Sequence, residues 1–346
     1  MVHQASRCSL SSRAFYNDIF PRFAAYCTKI FGYEMVLPMN TGAEAVETAL
    51  KLARKWGYQK KGVPENEAII VAATGCFHGR TTTIISMSDD EEATHNFGPF
   101  TPGMMKVEYN NIEALKKLFE KHGKNIVGFL VEPVQGEAGV VIPSETYLKE
   151  CYELCQKHNI LLLSDEVQAG IGRTGKMLCS DHSGIKPDVI ILGKAISGGL
   201  IPLSCVLSSR EVMLNIQPGE HGSTYGGSPL ASAVGIAALN VVVQEGLVEN
   251  SAAMGSVMLA FLTDMKSQYS WIDDVRGKGL FCAVEIKKDF KMRAWDICML
   301  LKEHGLLAKP THENIIRFTP PLTINEAQLR QCTDIMKDVF AKVDAQ

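Results

Sequence analysis

Two linked stretches decide the fold: Leu161-Leu-Leu-Ser-Asp-Glu-Val-Gln-Ala-Gly-Ile-Gly-Arg-Thr-Gly175 and Pro187-Asp-Val-Ile-Ile-Leu-Gly-Lys-Ala-Ile-Ser-Gly-Gly199. Their apolar cores, residues 160–163 and 189–192, are short, rich in Leu, Ile and Val, and do not alternate with polar residues. That is the pattern of strands buried on both faces. Each run ends near a charged residue, Asp165 in one and Lys194 in the other. In an open α/β sheet ligands bind beyond the carboxyl ends of the strands, so both groups are expected to face one crevice. A lysine between an apolar run and a glycine pair has little solvent to itself, and desolvation favours the neutral amine that attacks carbonyls.

Working outward, similar runs at 68–73, 126–131 and 203–207 alternate with helical patterns, which is an α/β signature. The clearest helix covers 43–56, with Val46, Ala49, Leu50, Ala53 and Trp56 on one face and a capping box from Thr41 and Glu44. After Gly246 the pattern changes: a polar helical stretch leads to residues 275–286, which alternate enough to predict an antiparallel strand after a glycine turn. A final helix over 326–343 carries Leu329, Ile335, Met336, Val339 and Phe340 on one stripe. The expected organisation is an arm at 1–34, a large mixed, mostly parallel sheet domain at 35–247, and a smaller α+β domain at 248–346.

Composition narrows the function classes. The chain has 346 residues, 46% hydrophobic and 21% charged, which excludes pure disorder and suits two domains. Its net charge of -3 creates no global field for nucleic acid or an anionic membrane, so neither partner is expected. The most apolar stretch, 230–243, is broken by Ser232 and Asn240 and is shorter than the ~20 residues of a spanning helix. Ten single cysteines show no zinc spacing, so no metal site is expected, and a reducing intracellular compartment fits. Cytoplasm is the expectation for the chain as given, and the mitochondrial matrix if a presequence is missing.

The chemistry emerges from the residues in combination. Taken singly, a strand-end aspartate is most often a turn residue and a lysine after a strand a surface charge. Together, an amine for a carbonyl and a carboxylate for a pyridinium nitrogen are the pair that pyridoxal 5'-phosphate needs. A phosphate site is also required. Met39-Asn-Thr-Gly-Ala-Glu-Ala45, which read alone is only a helix N-cap, offers Gly42 and Ala43 at a helix N-terminus, where unpaired amides and the positive dipole end suit a dianion. The loop Gly222-Ser-Thr-Tyr-Gly-Gly227 is a second source of donors, through Ser223 and Thr224, or a plain turn.

The block from Asp165 to Lys194 resembles the signature of the class III, fold type I pyridoxal-phosphate aminotransferases. Within them the ornithine aminotransferases are the most similar, through Ser12-Arg-Ala-Phe-Tyr-Asn17, Met39 to Gly57, Glu132-Pro-Val-Gln-Gly-Glu-Ala-Gly-Val140, Pro218 to Gly227 and Ile315-Ile-Arg-Phe-Thr-Pro-Pro-Leu322. The resemblance runs from about Ser9 to the last helix. It implies that Lys194 holds the cofactor covalently and then moves the proton, while Asp165 pairs with the ring nitrogen. It further implies that Phe77 stacks on the ring, Gln168 contacts the ring oxygen, Gly42 and Ala43 hold the phosphate, and Thr224 reaches that phosphate from the neighbouring subunit of a homodimer. Glu137 and Arg317 become a switchable pair, joined while L-ornithine reacts and parted when Arg317 takes a carboxylate of 2-oxoglutarate; Arg80 takes the other.

Two alternatives follow from the same residues. One is another class III ω-aminotransferase, acting on acetylornithine or 4-aminobutyrate. The other is a truncated, non-catalytic chain, because members of the family carry a further N-terminal segment ahead of the part matching Ser9. His78 stands where another aromatic is frequent in the family.

Overall fold

The structure, a computed structural model, describes residues 1–12 and 14–345. Arg13 of the Ser12-to-Asn17 motif therefore lies outside the described residues. The chain divides into two compact units: Met1–Pro133, Pro143–Gln168 and Ser180–Val241 form the first, and Val134–Ile142, Ala169–Cys179 and Val242–Gln346 the second. The second unit is discontinuous, taking in two segments that a single linear boundary at 247/248 does not anticipate.

In the first unit, β1 (Met35–Met39), β2 (Ile69–Ala73), β3 (Met104–Val107), β4 (Ile126–Val131), β5 (Leu161–Asp165), β6 (Val189–Leu192) and β7 (Ser204–Ser208) form a seven-stranded sheet among the described residues. Its order is β1-β7-β6-β5-β4-β2-β3. β7 runs against both its neighbours and every other pairing is parallel, so the sheet is mixed and mostly parallel as the sequence predicts. The sequence reading did not pick out β1. Pro38 has no amide to donate to a ladder, and β1 tolerates it as an edge strand paired on one side only.

Both faces of the sheet are covered, which explains the unbroken apolar runs. Helix Gly42–Trp56 lays Val46, Ala49, Leu50 and Ala53 on one face, against Ile70, Val127, Leu163 and Ile191. On the other face Leu115, Phe119, Leu148 and Cys155 meet Val71, Phe129 and Leu162. Each fully buried Leu, Ile or Val contributes about 1.5–3 kcal/mol. Cys151 and Cys155, one helical turn apart, act as small buried hydrophobes, and burial pushes the Cys151 thiol up to about 12.

The second unit holds an antiparallel sheet, β10-β11-β9-β8, made of β8 (Ile272–Gly277), β9 (Cys282–Ile286), β10 (Lys309–Thr311) and β11 (Ile315–Phe318). The expected single strand over 275–286 is in fact two, β8 and β9, joined by a turn at Lys278 to Phe281. Gly277, Gly279 and the Lys278 amide, which donates to the Phe281 carbonyl, close that hairpin. Helix Glu326–Asp344 docks Leu329, Met336, Val339 and Phe340 in this unit's core. No single described helix is long and apolar enough to cross a membrane.

Candidate active site

The site in the first unit is built where β5 and β6 end. These strands are parallel neighbours, with Asp165 in register with Ile191, so Asp165 and Lys194 emerge on the same edge of the sheet. They line one cavity of about 160 Å³ together with Gly42, Ala43, Phe77, His78, Gly79, Glu132, Val167 and Gln168.

Each wall has a local cause. Lys194 opens a short 3-10 turn, Lys194–Ser197, with φ of 43°, a left-handed conformation that is uncommon for a residue with a side chain. Its side chain is exposed in the single chain, which corrects the expectation that the glycine pair and apolar run would shield it. Asp165 is buried. Its Oδ1 accepts the Val167 amide at 3.0 Å, and its Oδ2 lies 2.6 Å from His78 Nδ1. Burial works against a charged His78 imidazole, but Cys76 and the hydrogen bond to Asp165 outweigh it, holding the ring well above its usual range. His78 Nε2 is buried in the same wall with no hydrogen-bond partner among the described residues. Phe77 is half-buried, and its amide donates to Glu132 Oε1 at 2.9 Å, which fixes the backbone beneath the ring.

The opposite wall is the N-terminus of helix Gly42–Trp56. Thr41 Oγ1 accepts the Glu44 amide, and Glu44 accepts the amides of Thr41 and Asn40, completing the predicted capping box. The Thr41 carbonyl takes the Ala45 amide, which leaves those of Gly42 and Ala43 outside both pairings. A Cβ on Gly42 would sit 2.9 Å from Val167 Cγ1, so only glycine keeps this cradle open.

Three predicted residues lie elsewhere in the unit. Ser223 Oγ accepts from Asn40 Nδ2 at 2.7 Å and from the Gly226 amide, while Thr224 lines a separate cavity with Ser11, Phe15 and Asn17. Arg80 places its guanidinium 5.9 Å from the centre of the Phe77 ring and lines a third cavity with Thr82, Asp90 and Phe97.

In the second unit Arg317, buried on β11, donates to both oxygens of Glu137 at 3.1–3.2 Å and to the Gly136 carbonyl at 2.8 Å. Lys309 Nζ donates to Glu137 Oε2 at 2.7 Å. Burial favours a neutral Glu137, but Lys309 and Arg317 prevail and hold its carboxyl below the usual range. Sequence reasoning found neither Lys309 nor the roles of His78 and Glu132. Among these, Glu132 lies inside the quoted 132–140 motif, and His78 was marked only by standing where another aromatic is frequent in the family.

The family model described as Aminotransferase class-III matches residues 1–340. The chain belongs to the class-III aminotransferases. It is 56% identical over 343 residues to the mitochondrial ornithine aminotransferase of Arabidopsis thaliana, covering 98% of this chain and 72% of that one. The ornithine aminotransferase structure from Toxoplasma gondii ME49 superposes with a TM-score of 0.97 at 41% identity, covering 99% of this chain and 81% of that chain. An acetylornithine aminotransferase from Elizabethkingia anophelis superposes at 0.89 with 46% identity, covering 99% and 83%. A class-III aminotransferase is a pyridoxal-phosphate enzyme of fold type I, and the first unit fits that cofactor. The cavity offers a carboxylate, an amine, an aromatic face and a glycine-lined helix N-terminus for the ring nitrogen, aldehyde, ring and phosphate.

Proposed function

We propose that this aminotransferase transfers the δ-amino group of L-ornithine to 2-oxoglutarate, releasing glutamate 5-semialdehyde and glutamate in two successive half-reactions. When bound, the cofactor supplies an aldehyde that takes the amino group and a ring that accepts the electron pair released at the substrate carbon. Asp165 holds the proton on the ring nitrogen through a charge-assisted hydrogen bond, and His78 orients Asp165. Lys194 would hold the cofactor through its aldehyde, and its amine would carry a proton to and from the reacting carbon of the substrate. Phe77 and Gln168 fix the ring, and the amides of Gly42 and Ala43 hold the phosphate, with Thr224 of a neighbouring copy completing that site in a homodimer.

The observation that carries the ornithine reading is the ion pair between Glu137 and Arg317. One pocket must accept a cationic side chain in one step and an anionic one in the next, and an unneutralised arginine repels the terminal ammonium of ornithine. Glu137 removes that repulsion. Arg317, released from it, takes one carboxylate of 2-oxoglutarate, and Arg80 takes the other. A panel of amino donors with wild type and Glu137→Ala tests the assignment. The variant is expected to lose its preference for ornithine and gain transfer from α-amino donors such as glutamate; an unchanged ratio of the two would count against it.

The acetylornithine reading has support in the 46% identity to a solved acetylornithine aminotransferase. Acetylornithine keeps the cationic δ-ammonium and lacks the α-ammonium, so including it beside ornithine in the donor panel separates the two readings by which of them turns over faster. A mitochondrial location is supported by the name of the Arabidopsis thaliana relative and is tested by cell fractionation.

A further inference from the structure

Glu137 is held by two cations, and their arrangement is unequal. Lys309 and Arg317 stand directly opposite one another in the register of β10 and β11. Like charges in that position repel, and the Glu137 carboxylate lies between them, bonded to both. The Arg317 side chain is 5% exposed and its fork also holds the Gly136 carbonyl, whereas the Lys309 side chain is 59% exposed on a flexible stem. Both cations reach the same oxygen, Glu137 Oε2.

We propose that Lys309 is a positioning residue that sets substrate specificity through Glu137, by keeping that carboxylate when Arg317 turns to an anionic 2-oxo acid. The inference rests on the reading that Glu137 and Arg317 part between the two half-reactions. For that exchange, a half-buried carboxylate must give up an arginine just as a second anion arrives. With Lys309 already bonded to Oε2, Glu137 keeps a counter-charge, and its negative field on the incoming substrate is reduced. Lys309 also competes for the oxygen that Arg317 uses, which lowers the barrier to releasing the arginine. In the ornithine half-reaction the joined pair of Glu137 and Arg317 already suffices, so Lys309 matters less there.

The two half-reactions of the holoenzyme are followed separately by single-turnover kinetics, with ornithine and with 2-oxoglutarate, for wild type, Lys309→Met, Lys309→Arg and Glu137→Ala. Methionine keeps the length of the stem without the charge, and the exposed position leaves folding unaffected. For an ion pair of this exposure, Lys309→Met should lower the apparent second-order rate with 2-oxoglutarate about three- to fivefold, mostly as weaker binding, against less than about twofold with ornithine. Lys309→Arg should restore the 2-oxoglutarate rate. The gap between wild type and Lys309→Met should narrow as salt screens the exposed cation.

Equal losses in both half-reactions, or no loss in either, would overturn the role of Lys309. If Glu137→Ala relaxes donor preference while Lys309→Met changes nothing, the Lys309 inference fails alone. If Glu137→Ala also leaves donor preference unchanged, the switch itself fails and the role of Lys309 with it.

Discussion

His78 Nδ1 lies 2.6 Å from Asp165 Oδ2, and both side chains are buried. The carboxylate assigned to the cofactor's ring nitrogen is therefore already held by a charged donor from the segment that also carries Phe77. Replacing His78 with glutamine removes a charge-assisted hydrogen bond to a buried acid, a loss of about 1.5–3 kcal/mol. Urea unfolding of the cofactor-free protein should show it, and cofactor retention on dialysis should fall in parallel.

The same pair fixes a pH dependence. The imidazole is raised in the folded protein above its ordinary value of 6.5, so its stabilising contribution is complete below that pH and is lost as pH rises through the folded value. The stability difference between wild type and His78→Gln should be largest in mildly acidic buffer and shrink as pH is raised. A difference that grew with pH would contradict the pairing.

His221 behaves in the opposite sense. Its Nε2 lies 2.7 Å from Thr48 Oγ1, which itself donates to the Glu44 carbonyl, and its Nδ1 lies 2.9 Å from Lys51 Nζ. Nε2 therefore donates and Nδ1 accepts, in a neutral ring. Partial burial, then the charge of Lys51, lowers its affinity for a proton. The unfolded chain binds that proton first, so the contribution is present above about 6.5 and is lost as pH falls through the folded value. Hydrogen-exchange protection of residues 217–228, corrected for the intrinsic rate at each pH, should fall below that pH, and Thr48→Val should lower it above that pH.

At the N-terminus of helix Gly42–Trp56, Gly42→Ala places a Cβ 2.9 Å from Val167 Cγ1. Overpacking of this kind costs about 1–3 kcal/mol. The thermal midpoint should drop, and cofactor affinity should drop further than stability alone explains, because the same methyl narrows the approach to the Gly42 and Ala43 amides.

Thr41→Ala separates capping from cofactor contact. Losing the Thr41 hydroxyl costs about 1 kcal/mol of stability. Titration of cofactor into the variant should change less than in Gly42→Ala, since Thr41 lies outside the cavity lining.

Legibility in the sequence followed the range of the interactions. Helix Gly42–Trp56 and its cap were readable because Thr41, Glu44 and the apolar stripe are neighbours along the chain. β4 and β6 match the apolar runs at 126–131 and 189–192 because burial on both faces removes polar residues from them. β1 was obscured by Pro38, and the β8 and β9 hairpin was merged into one strand because its turn is short and apolar at Leu280 and Phe281. Asp165 and Lys194 were legible as strand ends. His78 and Lys309 were not, since His78 meets Asp165 from 87 positions away and Lys309 meets Glu137 from 172. Such partners are set by packing and cross-strand register, which no local pattern records.

In the proposed site, Asp165 and Lys194 hold one pyridoxal phosphate between them. The most direct test of this is the visible absorption spectrum of the purified protein with added cofactor, before and after ornithine, beside that of Lys194→Ala. The wild type should show the band of a lysine-bound cofactor, and that band should shift when ornithine is added. Lys194→Ala should show only the spectrum of cofactor that has no covalent link to the protein. A Lys194→Ala spectrum that matched the wild type and shifted in the same way would contradict the account.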